Sequence, residues 1–293
     1  MGRKSWSYFY KQNIRLRHTF QKNLIFTTNL YEPSITMLRK ILRWLLAILL
    51  PIALFVAGVL IFPKVKEQQT LVPSTRTPIR QIDSLFYAQR IEAYKEEFGK
   101  KKVLLPGYEL QTLLALSYYP ELREVEINFL YEKAFIPLSS RPYFPTMFGK
   151  RDKWVYNVIV SSESIKSMET ILLKNLPFNA QVGILAHEIG HTLHYQQYGF
   201  WQMLKFALLY AFDADFRATH ERSTDAQVVY HSLGWQLFDY AKFVRTDPST
   251  LESYESSKGF IDKFYLTPAD IMQVMSEMPN YGSPTPDTPP APY

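Results

Sequence analysis

Residues 179–197 read NAQVGILAHEIGHTLHYQQ, and their spacing predicts one helix that carries a metal-binding pattern. Asn179 stands where a helix N-cap is expected, since a short polar side chain there can accept from the first free N–H groups. His187 and His191 are four residues apart, so on a helix they project from one face, one above the other. Two imidazole nitrogens so placed can reach one ion at about 2.0–2.1 Å, the usual zinc–nitrogen bond. Glu188 is turned about 100° from His187, beside the ligands without being one. That is the place for a base that takes a proton from a water activated by a metal.

A catalytic zinc site needs a third protein ligand and leaves one position open. The extended pattern with Gly and a third His further along the same segment fails, because His194 and Gln197 occupy those positions. A carboxylate from a later helix succeeds. The segment HERSTDAQVVYH, 220–231, sets Glu221 and Asp225 four residues apart. Glu221 is the expected third ligand, and Asp225 is expected to accept from the far nitrogen of a ligand histidine and so fix its tautomer. His194 reads as a surface or packing residue, His220 as a group that touches the site without binding metal, and Asp213 and Asp215 as N-caps of the Glu221 helix.

HEIGH followed by E-x-x-x-D on a downstream helix resembles the gluzincin clan of metallopeptidases, which includes thermolysin and membrane-associated heat-shock and prenyl-protein endopeptidases. The resemblance covers roughly residues 154–230, about a quarter of the chain. It implies an α+β fold: a zincin-like, mostly helical catalytic domain with a small antiparallel or mixed sheet. It implies Zn2+ held by His187, His191 and Glu221, with Glu188 as base and Asp225 behind the ligands. In that clan the strand before the zinc helix lies at a sheet edge and pairs with extended substrate. Trp154–Ser162 (WVYNVIVSS) holds that place here, so a peptide or protein substrate is implied. The clan also supplies a His, Tyr or Arg to the oxyanion, and no motif identifies it in this chain; His231 and Tyr265 are the candidates.

Composition narrows the alternatives. The chain has 293 residues and no cysteine, which excludes disulfides, thiolate metal sites and cysteine nucleophiles. Its net charge of +6 points toward nucleic acid only until its distribution is seen. Residues 1–43 hold nine Lys or Arg and one acid, Glu32, which leaves 24 basic against 26 acidic residues elsewhere. The basic surplus is a tail, and no nucleic-acid partner is expected.

Trp44–Phe62 is nineteen residues without a charge, close to the ~20 that span a bilayer as a helix. Arg39, Lys40 and Arg43 precede it, so the positive-inside bias puts the N-terminus in the cytoplasm and the following domain outside it, in the periplasm if the cell is bacterial. The run is long for a signal peptide, and Leu60-Ile61-Phe62-Pro63 offers no small-x-small cleavage site, so an anchor is expected. Met37 followed by Leu-Arg-Lys reads as a natural start, with residues 1–36 upstream of it.

The expected organisation is therefore a basic tail at 1–43, the anchor at 44–62, a linker at 63–78, the metallopeptidase domain at 79–279 and a disordered Pro-rich tail at 280–293. Within the domain, helices are expected over 79–98, from Pro106 to Tyr119, through most of 179–244 and from Pro268 to Met278. Strands are expected at Glu124–Tyr131, which alternates Val125, Ile127, Phe129 and Tyr131 with polar residues, and at Trp154–Ser162. Pro137–Pro145 reads as a loop. Phe200–Phe212 is expected to be an amphipathic helix covering the zinc helix, with a bilayer-resting surface as its alternative. The functional expectation is zinc-dependent hydrolysis of extracytoplasmic peptides or proteins; its rivals are a catalytically silent scaffold and a zinc hydrolase of non-peptide amides.

Overall fold

A computed structural model describes residues 35–61 and 76–285, which belong to two separate units divided between Pro63 and Lys64. Helix α1, Ile35–Ile61, is the described part of the first. Its stretch Ile35–Gly58 has a mean hydropathy of 2.3 and no buried residue, so it is long and apolar enough to cross a membrane. The helix begins ahead of the expected Trp44 and takes in Arg39, Lys40 and Arg43, because the chain from Ile35 onward holds no Gly and no Pro until Pro51. Most of the basic tail, Phe62, most of the linker and residues 286–293 lie outside the described residues.

The second unit opens with α2 (Ser84–Ala88), α3 (Ile91–Phe98), β1 (Lys102–Val103) and α4 (Glu109–Ser117). The single helix expected over 79–98 is thus two. Asp83 caps α2 by accepting from the N–H of Leu85 and Phe86, and a turn at Gln89–Arg90 separates α2 from α3. Strands β2 (Glu126–Glu132), β3 (Leu138–Pro142) and β4 (Val155–Ser161) complete a four-stranded sheet of order β1-β2-β4-β3. β2 pairs in parallel with β1 and β4, and β3 runs antiparallel to β4, so the sheet is mixed.

This topology corrects two expectations. β4 is an inner strand, flanked by β2 and β3, and the edge position belongs to β3, inside the stretch expected to be a loop. The prolines that suggested a loop are compatible with this strand: Pro142 is its last residue, and an edge strand can lack a ladder N–H. The alternating burial of Leu138 and Ser140 against Ser139 and Arg141 is the period of a strand with one covered face.

The rest is helical: α5 (Phe178–Tyr195), α6 (Phe200–Phe212), α7 (Ala214–Tyr230), α8 (Gly234–Thr246), α9 (Leu251–Phe264) and α10 (Pro268–Ser276). α5 is buried along nearly its whole length and packs against α4, α7, α8 and β3. A helix covered on all sides needs close neighbours. At Gly183 an added Cβ would lie 2.3 Å from the carbonyl oxygen of Gln236, so α5 and α8 cross backbone to backbone at this glycine. Asn179 is not the N-cap; Pro177 holds that position. The Asn179 carboxamide instead accepts from Ile82 N–H at 3.1 Å and donates to Arg80 O and to Asp239 Oδ2 at 3.0 and 2.7 Å. It fastens the segment before α2 and helix α8 to the start of α5. α6 covers the end of α5: Phe206 is buried and its ring lies 5.4 Å from that of Tyr195. The core extends past the expected boundary at 279, since Tyr281 is buried and its hydroxyl bonds Val229 O and receives Gly234 N–H.

Candidate metal centre

α7 runs across α5 close to Gly190. A Cβ there would stand 3.1 Å from the Thr224 methyl. The crossing brings Glu221 over the two histidines of α5. Glu221 Oε2 is 3.1 Å from His187 Nε2 and 3.4 Å from His191 Nε2, and one ligand atom from each of the three residues lies within 4.8 Å of the others. Ligands bonded at ~2.0–2.1 Å in a tetrahedron stand about 3.3 Å apart, so these two separations fit a shared ion. All three side chains are buried. This buried His–His–Glu group can hold a metal ion.

The groups behind the donors set which atoms face the ion. Asp225 Oδ1 lies 2.8 Å from His187 Nδ1 and its Oδ2 accepts from Leu266 N–H, so the carboxylate is fixed at both oxygens. In its neutral form, with the proton on Nδ1, His187 would offer the Nε2 lone pair to an ion on the Glu221 side. His191 Nδ1 lies 3.0 Å from His220 Nε2, which leaves its Nε2 on the same side. His220 thus touches the site from behind, as its place before Glu221 suggested. Burial pushes its pKa well down, and the neighbouring histidines add to this, so it is a neutral acceptor. Glu221 Oε1 receives the Tyr210 hydroxyl at 2.5 Å, which leaves Oε2 for the ion. Burial alone would raise the Glu221 pKa, but His191 and His187 hold it well below the usual range, so it is a carboxylate.

Glu188 is buried beside the three ligands, and its Oε2 has no hydrogen-bond partner. Burial raises its pKa, opposed by His191, by His187 and by the Ser140 main-chain N–H. Glu188, His187 and Glu221 line a cavity of about 270 Å³. Its walls come from 136–138, from Met168 and Ile171, and from α8 and α9, and they are mainly apolar.

Of the two residues named for oxyanion contact, Tyr265 lines this cavity, with its ring 5.9 Å from that of His187. His231 is not brought to the site: it ends α7, stacks on Tyr119 at 4.1 Å and lies 2.8 Å, through Nδ1, from Gln227 O. His194 does not join the ligand group either; it is buried with its Nε2 2.6 Å from the Tyr198 hydroxyl. Asp213 caps α7 by accepting from Asp215 and Phe216 N–H, while Asp215 is bound by Lys263 at 2.8 Å. Tyr210, Tyr240 and Arg217 reach the cavity unannounced. Only Arg217 left a trace in the sequence, four residues before Glu221 and eight before Asp225, on one helix stripe.

Comparison of the chain with protein-family models, curated proteins and solved structures gives no match. The geometry of the site therefore carries the functional reading.

Proposed function

We propose that this chain is a membrane-anchored zinc peptidase of gluzincin type. The observation that carries the reading is Glu188: a buried carboxylate with an unpartnered oxygen, in a cavity wall shared with two of the three metal-binding side chains. A purely structural metal site has no use for such a group, since an unpaired buried carboxylate oxygen costs stability. The donor set supports zinc, because two imidazoles and one carboxylate with a remaining open position is a known catalytic zinc environment and no thiolate is present. When bound, zinc supplies Lewis acidity and lowers the pKa of a water toward ~7.

In this reading Glu188 takes the proton of the attacking water and returns it to the leaving amine nitrogen. Burial favours the protonated form that makes the second transfer possible. Tyr265 donates to the oxyanion: its hydroxyl bonds to no described residue, and burial, with Glu221 nearby, holds its pKa well above 10, so it keeps its proton. The free edge of β3 is the place for an extended peptide, since a strand added there completes main-chain hydrogen bonds. Helix α1 is the anchor, with the basic N-terminus in the cytoplasm and the peptidase domain on the other side of the membrane.

The full chain purified in detergent is expected to carry one zinc per molecule, and Glu188→Gln is expected to keep the metal while losing at least ~100-fold in peptide hydrolysis. Metal analysis and cleavage of a casein or peptide library test this. Full activity in the Glu188→Gln protein would remove the reading.

A further inference from the structure

Arg217 lines the cavity and has no part in the hydrolysis proposed above. Its side chain lines the cavity together with Glu221 and Tyr210. The guanidinium lies over the Phe264 ring at 4.8 Å and near the Tyr210 ring at 5.7 Å. Its Nε is buried without a hydrogen-bond partner, and among the described residues no acid pairs with it. The nearby acids are engaged elsewhere: Asp215 by Lys263, Asp213 by the start of α7, and Glu221 by Tyr210 and the two histidines. A guanidinium carries five donors in a planar fork that matches a carboxylate. Arg217 is half-buried, and leaving its buried Nε unpaired is costly unless an acceptor arrives to fill it.

A second cation makes the same point. Arg245 gives its Nε to Asp262 at 3.0 Å and its Nη1 to Ala241 O, yet its Nη2 is buried and unpartnered, and it too lines the cavity. By contrast Arg222, on the other side of α7, is paired with Asp270. Vacant guanidinium donors and the metal-binding group thus share one apolar cavity.

Resting on the peptidase reading above, we infer that Arg217, assisted by Arg245, receives a carboxylate of the substrate, so that the enzyme selects peptides with an acid beside the bond it cuts. That carboxylate is either the free C-terminus, which makes the enzyme a carboxypeptidase, or an Asp or Glu side chain.

The test uses the full-length, zinc-loaded chain in detergent and two matched peptide pairs. One pair differs only in a C-terminal acid or amide, the other only in an internal Glu or Gln. Binding is read by titration calorimetry on the Glu188→Gln protein, and kcat/KM on the parent. In one pair the acid form is expected to be favoured by about tenfold or more, and the pair that discriminates names the source of the carboxylate. Arg217→Gln is expected to bring that ratio close to one whatever it does to absolute rates, and Arg217→Lys to restore part of it. Ratios near one for both pairs in the parent, or an unchanged ratio in Arg217→Gln, would overturn the inference. So would binding of decanoate with no binding of any peptide, which would indicate a lipid-derived acid. Discrimination without any cleavage overturns the peptidase reading alone, and cleavage without discrimination overturns this inference alone.

Discussion

At the residue scale the candidate ligand His187 and its support Asp225 are separated by 38 positions in the chain, yet they meet at 2.8 Å. Asp225 does two things there: it orients the imidazole and, through Oδ2, ties Leu266 at the entry to α10. Replacing it with Asn keeps the shape but lets the amide present either its N–H or its oxygen to Nδ1, so the histidine tautomer is no longer enforced. Asp225→Asn is expected to weaken zinc binding by about 10–100-fold, measured by competition with a chromophoric chelator. Unchanged affinity would mean that Asp225 serves only the main chain of Leu266. Glu221, Asp225 and the two histidines of α5 are legible from spacing, because helical periodicity converts i, i+4 directly into proximity. Tyr210 is not legible, because the bond from its hydroxyl to Glu221 depends on how α6 turns back over α7, which nothing local encodes.

At the element scale the site depends on how tightly α5 is gripped, and two glycines of that helix make different predictions. In an exposed helix either Gly→Ala change would gain up to ~1 kcal/mol from propensity. At Gly183 the new Cβ would sit 2.3 Å from a main-chain oxygen and 2.7 Å from Leu237 N, and backbone cannot step aside without parting α5 from α8. Overpacking of this kind costs about 1–3 kcal/mol or more. Gly183→Ala is therefore expected to lower the Tm by several degrees and to weaken zinc binding, since His187 follows one turn later. At Gly190 the obstacle is only the Thr224 methyl at 3.1 Å, so Gly190→Ala is expected to be close to neutral. Thermal denaturation of the two variants decides the matter, and a larger loss at Gly190 would contradict this account of the crossing. Elements with a strong internal period are legible here: β2, β4 and α10 fall within a few residues of expectation. β3 is hidden by its flanking prolines. α9 is hidden for another reason: its only buried side chains are Tyr254 and Phe264, and its remaining residues include three serines and Gly259, a composition that reads as loop.

At the scale of the whole molecule the buried charges of the metal centre tie stability to pH. Without metal, burial disfavours protonated His187, but its bond to Asp225, the charge of Asp225 and the contact with Glu221 outweigh this and raise its pKa well above 6.5. A histidine raised in this way binds a proton more tightly in the folded chain than in the unfolded one. The gain is complete below the unfolded value of ~6.5 and is lost as the pH climbs through the raised folded value. Glu221, held well below the usual range, remains a carboxylate throughout that window, so the His187–Glu221 attraction is governed by the histidine. In the metal-free protein, a proton on His187 thus partly takes the place of the ion. A metal ion taken up there must displace that proton, because only the neutral imidazole offers its lone pair. Both effects have the same sign: raising the pH removes the proton-dependent stability of the metal-free form and strengthens metal binding. The increase in Tm on adding zinc to the stripped, full-length protein is therefore expected to be larger at pH 8 than at pH 6, with chelator-treated protein as the reference at each pH. The same titration on Asp225→Asn is expected to flatten this dependence, since the neutral amide no longer raises the His187 pKa. An increment that shrinks with rising pH would show that His187 does not face the ion through a nitrogen for which the proton competes.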